Sequence, residues 1–544
     1  MRKVQHTNRN RGIKIAASLA IVAMFATACG GGDKGGDQGG GGTPVAGGVI
    51  TYGVEGKTTQ FCPPKTQAAI SGIMIMQSMY DTLAEPTNDG RAVPYLAKSI
   101  TANADSTVWT IGLREGVTFH DGTPVDAAAV KKNIDAWTKG ILLQFVFSNI
   151  ASVDVVDPLT VTVTMKKAWV AFPWYLWTTG RTGIAAPAQL DSPDCDTKLI
   201  GSGPFKLKSF DPSSGDVSVV KNASYWRKGY PLLDGINWKV QGDSIQRMNG
   251  LQGGQFDVIH TSGGKDRKTV EGFANTTITA EPAGNREISQ VLINLTRPPF
   301  DDKNARLAIA LSQDREALAA IGAGPGTTKA FQVVDSKVLG HIKDPAGYPA
   351  KQDLVQAKKL VQAYKDAHGG KFEFNLQSTF DPTTQALAQE IQREGKQVGI
   401  TINLPQPVDQ AAIINQAIGG AVDAFAWRNY PGADPDGLYV WFHSGSPVNF
   451  GKINNPIIDK ALDDGRSEID PAKRKADYET FVSQMSSEIT TLWGWYTDWF
   501  IGAKSNITGI VGPNLPDATG KPGKDKPAVV FAGYHQLLGI SKTK

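Results

Sequence analysis

The sequence predicts an α/β protein built from more than one domain, and three observations support this fold class. Helical and strand patterns alternate between residues 353 and 427, which is typical of a parallel sheet crossed by helices. Between residues 109 and 165, the strand patterns of a hairpin accompany a helix, which indicates a mixed α+β region. The 544 residues also exceed what one hydrophobic core organises, so we expect about three domains.

The N-terminus has the pattern of an export signal. Basic residues precede a short apolar stretch, Ile15 to Phe25, which ends in Ala26-Thr27-Ala28 and is too short to cross a bilayer. Small residues followed at once by Cys29 resemble the lipobox of bacterial lipoproteins, although Ala26 stands where leucine is usual. The resemblance implies removal of residues 1–28 and a lipid on Cys29, so that the protein is held at the outer face of the cytoplasmic membrane. The alternative is an ordinary cleaved signal with a chance cysteine.

Residues 29–46 are predicted to form a flexible tether. The segment Gly30 to Gly42 is glycine apart from Asp33, Lys34, Asp37 and Gln38, and it has no apolar surface to bury. A glycine-rich chain of this length reaches on the order of 20 Å. No later apolar run is long enough to span a membrane, so we expect a soluble body that works close to the membrane.

The composition argues against several functional classes. The net charge is +4 with basic and acidic residues interspersed, which predicts no nucleic-acid surface. The seven histidines are isolated, and the sequence has no zinc-protease helix, nucleophile elbow or phosphate-binding loop of the Walker type. We therefore expect no catalytic residues, no metal site and no cofactor. Cys62 and Cys195 either form a disulfide, which an exported protein permits, or remain buried thiols.

The elements of the first half follow from local patterns. A strand is predicted at residues 109–113, and Asp126 is predicted to cap a helix that carries apolar residues at helical spacing. Two alternating runs, at residues 153–155 and 161–165, flank the turn Asp157-Pro158 and indicate a hairpin.

The second half has the clearer pattern. Asp353 is predicted to cap a helix that ends at Gly369-Gly370, and Asp381-Pro382 is predicted to begin the next helix. Alternating apolar residues predict strands at residues 372–376, 400–404 and 422–427, with a third helix at 408–418. This β-α-β-α-β order requires parallel strands with right-handed crossovers.

The segment 428–436 leaves the carboxyl end of the last of these strands. Ligands of open parallel sheets bind at the carboxyl ends of the strands, so this segment is the first candidate for a ligand-contacting loop. Its Asp-Pro-Asp-Gly sequence is also typical of a tight turn, so the alternative is an acidic surface turn without a ligand.

Several segments resemble one protein family. They occur in the expected order and cover nearly the whole mature chain: Pro94–Ala97, Trp109-Thr110, Leu113–Ala127, Gly201–Phe205, Asn222, Tyr225-Trp226, Pro231–Ile236, Asn294, Pro298–Phe300 and Ala310–Arg315. Together they resemble the extracytoplasmic solute-binding proteins of peptide/nickel-type ABC transporters, family 5. Members of this family carry the segment Phe119–Gly122 as structure, so the pair His120-Asp121 is not expected to be catalytic.

The resemblance implies a two-lobed periplasmic-binding-protein fold of type II, cluster C, with an extra α+β subdomain in lobe I. Lobe I would comprise residues 47–73, 198–286 and 505–544, the extra subdomain residues 74–197, and lobe II residues 287–504. The lobes would close over a ligand by a hinge movement. The protein would be a monomer without enzymatic activity, and its closed form would dock on an ABC permease that an ATPase drives.

The resemblance also suggests ligand contacts. In relatives that bind peptides, an aspartate three residues after the tryptophan that corresponds to Trp427 pairs with the amino terminus of the peptide, but here that position is Tyr430. Arg428 could receive a ligand carboxylate instead. The complete set of expected contacts is Trp427, Arg428, Asn429, Tyr430, Asp434, Asp436, Gln60 and Phe61, in which Asp434 or Asp436 would replace the missing aspartate.

The ligand class stays open at this point. A peptide or peptide-like solute is expected, while an oligosaccharide, an opine-like compound or a metal chelate in the same fold are the alternatives. Two alternative hypotheses belong to other functional classes: a secreted hydrolase, and a sensory or adhesive protein. Two groups of aromatic residues are interpreted as core rather than as ligand contacts: Trp174, Tyr175 and Trp177, and Trp493, Trp495, Tyr496 and Trp499.

Overall fold

The computed structural model describes residues 44–68, 70–177, 181–284, 286–324, 327–430, 432–529 and 534–544. The predicted signal peptide, Cys29 and all but the last three residues of the predicted tether lie outside these ranges. None of the helices within the described ranges combines the length and apolar character needed to span a membrane.

Strands and helices are numbered in chain order. The strands are β1 (Pro44–Val45), β2 (Val49–Val54), β3 (Ala84–Pro86), β4 (Ala92–Pro94), β5 (Ala97–Ala102), β6 (Val108–Leu113), β7 (Ile150–Asp157), β8 (Thr160–Met165), β9 (Phe205–Phe210), β10 (Val217–Lys221), β11 (Gly235–Val240), β12 (Val258–Ser262), β13 (Thr276–Ala280), β14 (Glu287–Ile293), β15 (Glu373–Gln377), β16 (Thr401–Asn403), β17 (Ala424–Asn429), β18 (Thr491–Thr497), β19 (Trp499–Lys504), β20 (Ile507–Thr508) and β21 (Ser541–Thr543). The helices are α1 (Ile70–Met79), α2 (Ala127–Trp137), α3 (Leu143–Val146), α4 (Phe172–Tyr175), α5 (Pro187–Leu190), α6 (Ser244–Gly253), α7 (Gly264–Glu271), α8 (Lys303–Ser312), α9 (Arg315–Ala323), α10 (Leu354–Ala367), α11 (Pro382–Gln397), α12 (Gln410–Ile418), α13 (Tyr439–Phe442), α14 (Pro456–Ser467) and α15 (Pro471–Ser487).

Aspartate side chains begin the helices at the positions that the sequence predicts. The carboxylate of Asp126 accepts a hydrogen bond from the Ala129 N–H at 2.8 Å, which caps α2. Asp353 caps α10 and Asp381 caps α11 in the same manner. A side-chain acceptor at this position satisfies one of the backbone N–H groups that the first turn of a helix leaves without a partner.

Lobe I is organised around a seven-stranded sheet with the order β13-β19-β12-β2-β11-β10-β9. The central strand β2 runs parallel to β11 and β12, and the outer pairings are antiparallel. Helix α1 packs against this sheet with Met74, Met76 and Met79 fully buried in the same core. The cysteines Cys62 and Cys195 form a disulfide, which settles the alternative left open by the sequence.

The extra subdomain has a four-stranded antiparallel sheet with the order β5-β6-β8-β7. The predicted strand, hairpin and helix of this region are confirmed as β6, as β7 with β8, and as α2. Trp137, Phe147 and Trp169 lie in its buried core. His120 has a structural place, as expected: its Nδ1 accepts from the Gly201 N–H at 3.3 Å and its Nε2 donates to the Gly203 carbonyl at 3.0 Å.

Lobe II contains a five-stranded sheet with the order β16-β15-β17-β14-β18. The predicted parallel unit is confirmed, since β15 runs parallel to both β16 and β17. The strands β14 and β18 extend the sheet in antiparallel orientation, which the sequence did not predict. Both strands are buried on both faces, so neither shows the alternation of apolar and polar residues by which a strand is recognised.

The chain crosses between the lobes at two adjacent places. The first crossing lies between β13 and β14, and the second lies at Asp498, between β18 and β19. The guanidinium of Arg286 joins them, because it donates to Asp335 at 2.7 Å and to Asp498 at 3.0 Å.

Two boundaries differ from those that the sequence suggested. Strand β19 pairs with β12 and β13 of lobe I, so lobe II ends at Asp498 rather than at Lys504. Residues 74–79 belong to the core of lobe I, and the core of the extra subdomain begins at Leu83 rather than at Met74. In both cases buried apolar residues lie on either side of the boundary within a short stretch of sequence, so hydrophobicity does not mark the boundary.

Candidate functional site

A cavity of about 280 Å³ lies between lobe I, the extra subdomain and lobe II. Its volume is close to the lower end of the range, about 300–1,000 Å³, that is typical of small-molecule sites. Glu55 lines it from lobe I, Trp174 from the extra subdomain, and Trp427 and Trp441 from lobe II. A ligand in this cavity would contact all three bodies at once.

Five of the predicted contacts line this cavity. Trp427, Arg428 and Asn429 end β17, and Tyr430 and Asp434 follow in the next segment. They meet there because the carboxyl end of β17 opens into the space between the lobes, as the parallel arrangement predicts. Ligand contact by these residues stays a prediction.

Asp434 and Asp436 already have partners within the protein. The Asp434 carboxylate accepts two hydrogen bonds from Arg474, at 2.7 and 2.8 Å. Asp436 is fully buried, does not line the cavity, and accepts from Arg466 at 2.8 Å and from the Trp169 indole N–H at 2.7 Å. Burial alone would raise the pKa of Asp436, but Arg466 outweighs it and lowers this pKa. Asp436 therefore lies away from the cavity, and a ligand amine at Asp434 would have to compete with Arg474.

The structure places Gln60 and Phe61 outside the set of described residues that line the cavity. Phe61 is completely buried in the core of lobe I, with its ring edge-on to Phe210 at 5.1 Å. The segment is folded away from the cavity because Thr66 donates to the Gln60 carbonyl at 2.7 Å, next to the disulfide at Cys62.

Glu55 enters the cavity from lobe I instead, and sequence reasoning missed it. This residue directly follows β2, so it stands at the carboxyl end of a central strand of the lobe I sheet. The rule that singled out the end of β17 would have found it, had the parallel pairing of β2 with β11 and β12 been recognised.

Arg428 is surrounded by three carboxylates, those of Glu55, Glu287 and Asp381, which we call the acidic cluster. Its guanidinium lies 3.3 Å from Glu55, 3.2 Å from Asp381 and 3.9 Å from Glu287. It also stacks over the ring of Trp499, with 5.0 Å to the ring centroid. Burial opposes its charge, but the three carboxylates outweigh burial and hold the pKa of Arg428 above its ordinary value. A ligand carboxylate would have to compete with these three groups, so Arg428 is not an open receptor for one.

Glu287 begins β14, at the first crossing between the lobes. Its Oε2 accepts a hydrogen bond from the Trp499 indole N–H at 2.9 Å. Burial raises the pKa of Glu287, and the neighbouring charges of Glu55 and Asp381 raise it further, in opposition to Arg428. We call the part of the cavity formed by Arg428 and the acidic cluster its polar end. The negative charges of the cluster repel one another there.

The opposite part of the cavity wall is aromatic. Trp174 and Trp177 meet edge to face at 5.6 Å, and Trp177 packs on Tyr534 at 5.5 Å. All three line the cavity together with Tyr175. Trp174, Tyr175 and Trp177 were interpreted as core residues; they do pack in the core of the extra subdomain, but they also form part of the cavity wall. The second group lies in the core, with Trp493, Trp495 and Trp499 fully buried.

Arg181 and Thr182 complete the polar wall on the side of the extra subdomain. Arg181 donates to the Ala68 carbonyl at 2.7 Å, and burial lowers its pKa to about 10. Within the described ranges, no three histidine, cysteine, aspartate or glutamate side chains are grouped so that they could hold a metal ion.

Comparison with solved structures identifies the fold. The oligopeptide-binding protein AppA of Bacillus subtilis, in complex with a nonapeptide, has a TM-score of 0.80 at 21% identity and covers 92% of this chain and 100% of its own. AgaA of A. tumefaciens R10, in complex with agropinic acid, has a TM-score of 0.77 at 24% identity, covering 91% and 99%. These likenesses confirm the two-lobed periplasmic-binding-protein fold of type II.

Comparison of sequences identifies the family. The glutathione-binding protein GsiB of Escherichia coli strain K12 is 30% identical over 333 residues, which are 60% of this chain and 63% of that protein. The chain therefore matches less than two thirds of the length of this relative. The family model described as bacterial extracellular solute-binding proteins, family 5 middle, matches residues 91–450. This chain belongs to the family 5 bacterial extracellular solute-binding proteins.

Proposed function

We propose that this protein is the lipid-anchored binding component of an ABC importer, which captures a small peptide or peptide-like solute and delivers it to a membrane permease. The observation that carries the proposal is the cavity between the lobes, lined from three bodies of a chain that belongs to a solute-binding family. The lipid on Cys29 would hold the protein at the outer face of the membrane, where a permease is within reach.

Contacts that connect lobe II to the rest of the molecule support capture by closure. Arg428 of lobe II pairs with Glu55 of lobe I. The Tyr175 hydroxyl of the extra subdomain donates to the Asp436 carbonyl of lobe II at 2.7 Å. These contacts exist only while the lobes are together, so a ligand that also bridges the lobes would shift the population toward this state.

The lining of the cavity supports a small solute with both polar and apolar groups. Tryptophan rings offer a flat apolar wall, while the Asn429 side chain has an amide nitrogen that finds no acceptor among the described residues. A donor of this kind suits a ligand carbonyl oxygen. The volume of about 280 Å³ favours a solute of the size of a short peptide over a long one.

The ligands named for the relatives are compatible with a peptide or peptide-like solute, but they do not identify a single ligand. GsiB is named for glutathione, AppA was solved with a nonapeptide, and AgaA with agropinic acid. The acidic cluster argues against a multiply anionic solute in this chain, because like charges within a few ångströms repel strongly in a partly buried site.

Native mass spectrometry of the purified protein tests the proposal. We expect a non-covalent adduct of small mass that denaturation releases unchanged. In solution scattering, removal of that solute should increase the radius of gyration and its return should decrease it, since closure makes the molecule more compact. At a hundredfold excess over its dissociation constant, the solute should add about 2.7 kcal/mol to the free energy of unfolding.

The outcomes separate the candidate classes. Recovery of the solute in chemically altered form would identify an enzyme. Scattering profiles that coincide with and without a tightly bound solute would contradict capture by closure. Trp427→Ala and Tyr430→Ala should both weaken binding of the recovered solute, and unchanged affinity in both variants would remove the end of β17 from the site.

A further inference from the structure

A smaller cavity of about 30 Å³, which we call the chamber, lies at the junction of lobe I and the extra subdomain. Helix α1 contributes Gln77 to its lining, and strand β3 contributes Glu85. The C-terminal segment contributes Tyr534 and residues 536–538. Tyr534 also lines the cavity between the lobes, so the chamber lies directly behind part of that cavity's wall.

Two glutamine side chains of the chamber have no partners within the protein. Gln536 is 4% exposed and lines the chamber, yet neither its amide oxygen nor its amide nitrogen has a hydrogen-bond partner among the described residues. The same is true of both amide atoms of Gln77, which are themselves buried. A buried polar group without a partner is costly, and native proteins satisfy nearly all such groups. Four such atoms around one small chamber therefore indicate an occupant that bonds to them.

The carboxyl groups of the chamber, in contrast, are already satisfied. Each of the four oxygens of Asp81 and Glu85 accepts a hydrogen bond from a side chain: those of Tyr225 and Trp226 for Asp81, at 3.0 and 2.7 Å, and those of Thr82 and Tyr534 for Glu85. The buried guanidinium of Arg227 supplies a positive charge that acts on both acids. These acids therefore do not require a further cation in the chamber.

We propose that the chamber is a binding site for one or two ordered water molecules, held by the amides of Gln77 and Gln536. An amide nitrogen donates and an amide oxygen accepts, so an occupant that satisfies both glutamines has to accept and to donate. Water does both, whereas a cation cannot accept from the nitrogens and an anion cannot donate to the oxygens. The volume agrees, because one buried water needs about 10–15 Å³ and the chamber offers about 30 Å³.

The waters join parts of the chain that are far apart in the sequence. They connect α1 of lobe I, through Gln77, to the C-terminal segment, through Gln536. That segment carries Tyr534, whose ring packs on Trp177 in the wall of the larger cavity at 5.5 Å. The hydrated chamber thus supports the aromatic wall from behind. This inference goes beyond the proposed function and does not depend on the identity of the solute.

Crystallography of the purified protein tests the proposal, at a resolution that shows ordered water in the protein interior. We expect one or two water oxygens in the chamber, within about 3.2 Å of amide atoms of Gln77 and Gln536. A soak in thallium(I) acetate distinguishes water from a monovalent cation, because thallium replaces such ions and scatters anomalously. We expect no anomalous peak in the chamber.

Substitutions identify the groups that hold the water. Methionine has nearly the length of glutamine but no amide, so Gln536→Met and the double variant Gln77→Met with Gln536→Met remove the partners and nearly keep the volume. The water density should weaken in the single variant and disappear in the double variant. In solution, oxygen-17 relaxation dispersion should detect one or two fewer long-lived interior waters in the double variant. Gln356→Met, at an exposed position of α10, is the control and should leave the waters of the chamber in place.

Four outcomes overturn the inference. The first is a chamber without water density in crystals that show other interior waters, and the second is a direct hydrogen bond between the two amides. An anomalous thallium peak would show that the site holds an ion. Water that persists unchanged in the double variant would show that other groups bind it; should that variant not fold, unchanged water in Gln536→Met carries the same meaning. Recovery of a bound solute tests the proposed function separately, so failure of either proposal can be recognised.

Discussion

At the scale of single residues, two buried acids connect the cavity wall to the interior of the protein. Burial raises the pKa of Asp81 to about 7 and that of Glu85 to about 8, although both accept hydrogen bonds. Asp81 accepts from the Tyr225 hydroxyl and the Trp226 indole, and Glu85 accepts from the hydroxyl of Tyr534, which lines the cavity. Desolvation is the dominant cause for both groups, so each carboxyl holds its proton more tightly in the folded than in the unfolded chain.

The free energy of unfolding should therefore depend on pH. The pKa of Glu85 is near 4.5 in an unfolded chain and about 8 in the folded one, so the folded state binds more protons between these values. The stability that this group contributes is complete below about pH 4.5 and is lost as the pH rises through about 8. Urea denaturation of Glu85→Gln between pH 5 and 8.5 should show a shallower decline than the original protein. The exposed substitution Glu373→Gln is the control, and equal declines in all three proteins would contradict the assignment.

At the scale of elements, a buried ion pair joins the turn after β17 to α14 and to the extra subdomain. Arg466, near the end of α14, donates to both carboxylate oxygens of Asp436, at 2.8 and 3.2 Å. Its guanidinium also lies 3.5 Å from the centroid of the Tyr439 ring and 5.0 Å from that of Trp169. Asp436 was expected to contact the ligand, but its place is in this network, which fixes the segment beside the cavity.

Removal of one partner of this pair should be strongly destabilising. Arg466→Met leaves the Asp436 carboxylate buried without its cation, which typically costs about 3–5 kcal/mol. Chemical denaturation should show this loss, together with weaker solute binding. The surface substitution Arg267→Met removes the exposed i,i+4 partner of Glu271 in α7 and should cost about 1 kcal/mol or less. Losses of the same size in both variants would show that Asp436 and Arg466 are not coupled as the geometry indicates.

The elements also show what sequence could and could not predict. The aspartate caps at positions 126, 353 and 381 and the parallel unit of β15, β16 and β17 follow from local patterns, so they were predictable. Strands β14 and β18 were not, because burial on both faces removes their periodicity. The end of β17 could be placed at the cavity from strand order, whereas Glu55, Glu287 and Asp381 come from distant segments that only the tertiary fold brings together.

At the scale of the whole molecule, the proposed lipid attachment and the proposed capture of a solute should be separable. The described body begins at residue 44, while Cys29 lies in the segment before it. Cys29→Ser should move the protein from the membrane fraction to the medium or the soluble envelope fraction, while the affinity for solute stays unchanged. Thr27→Ser keeps the small residues before the cysteine and should remain with the membrane. Retention of the Cys29→Ser protein in washed membranes would contradict attachment through a lipid on this residue.

The disulfide between Cys62 and Cys195 has a consequence for how the molecule would respond to proteases. The two cysteines are 133 positions apart, and the residues between them include the whole sheet of the extra subdomain, β5 to β8. A backbone cut anywhere within that loop would leave two fragments that are still covalently joined. Such a nicked protein would run as one band in a denaturing gel without reductant and as two with it.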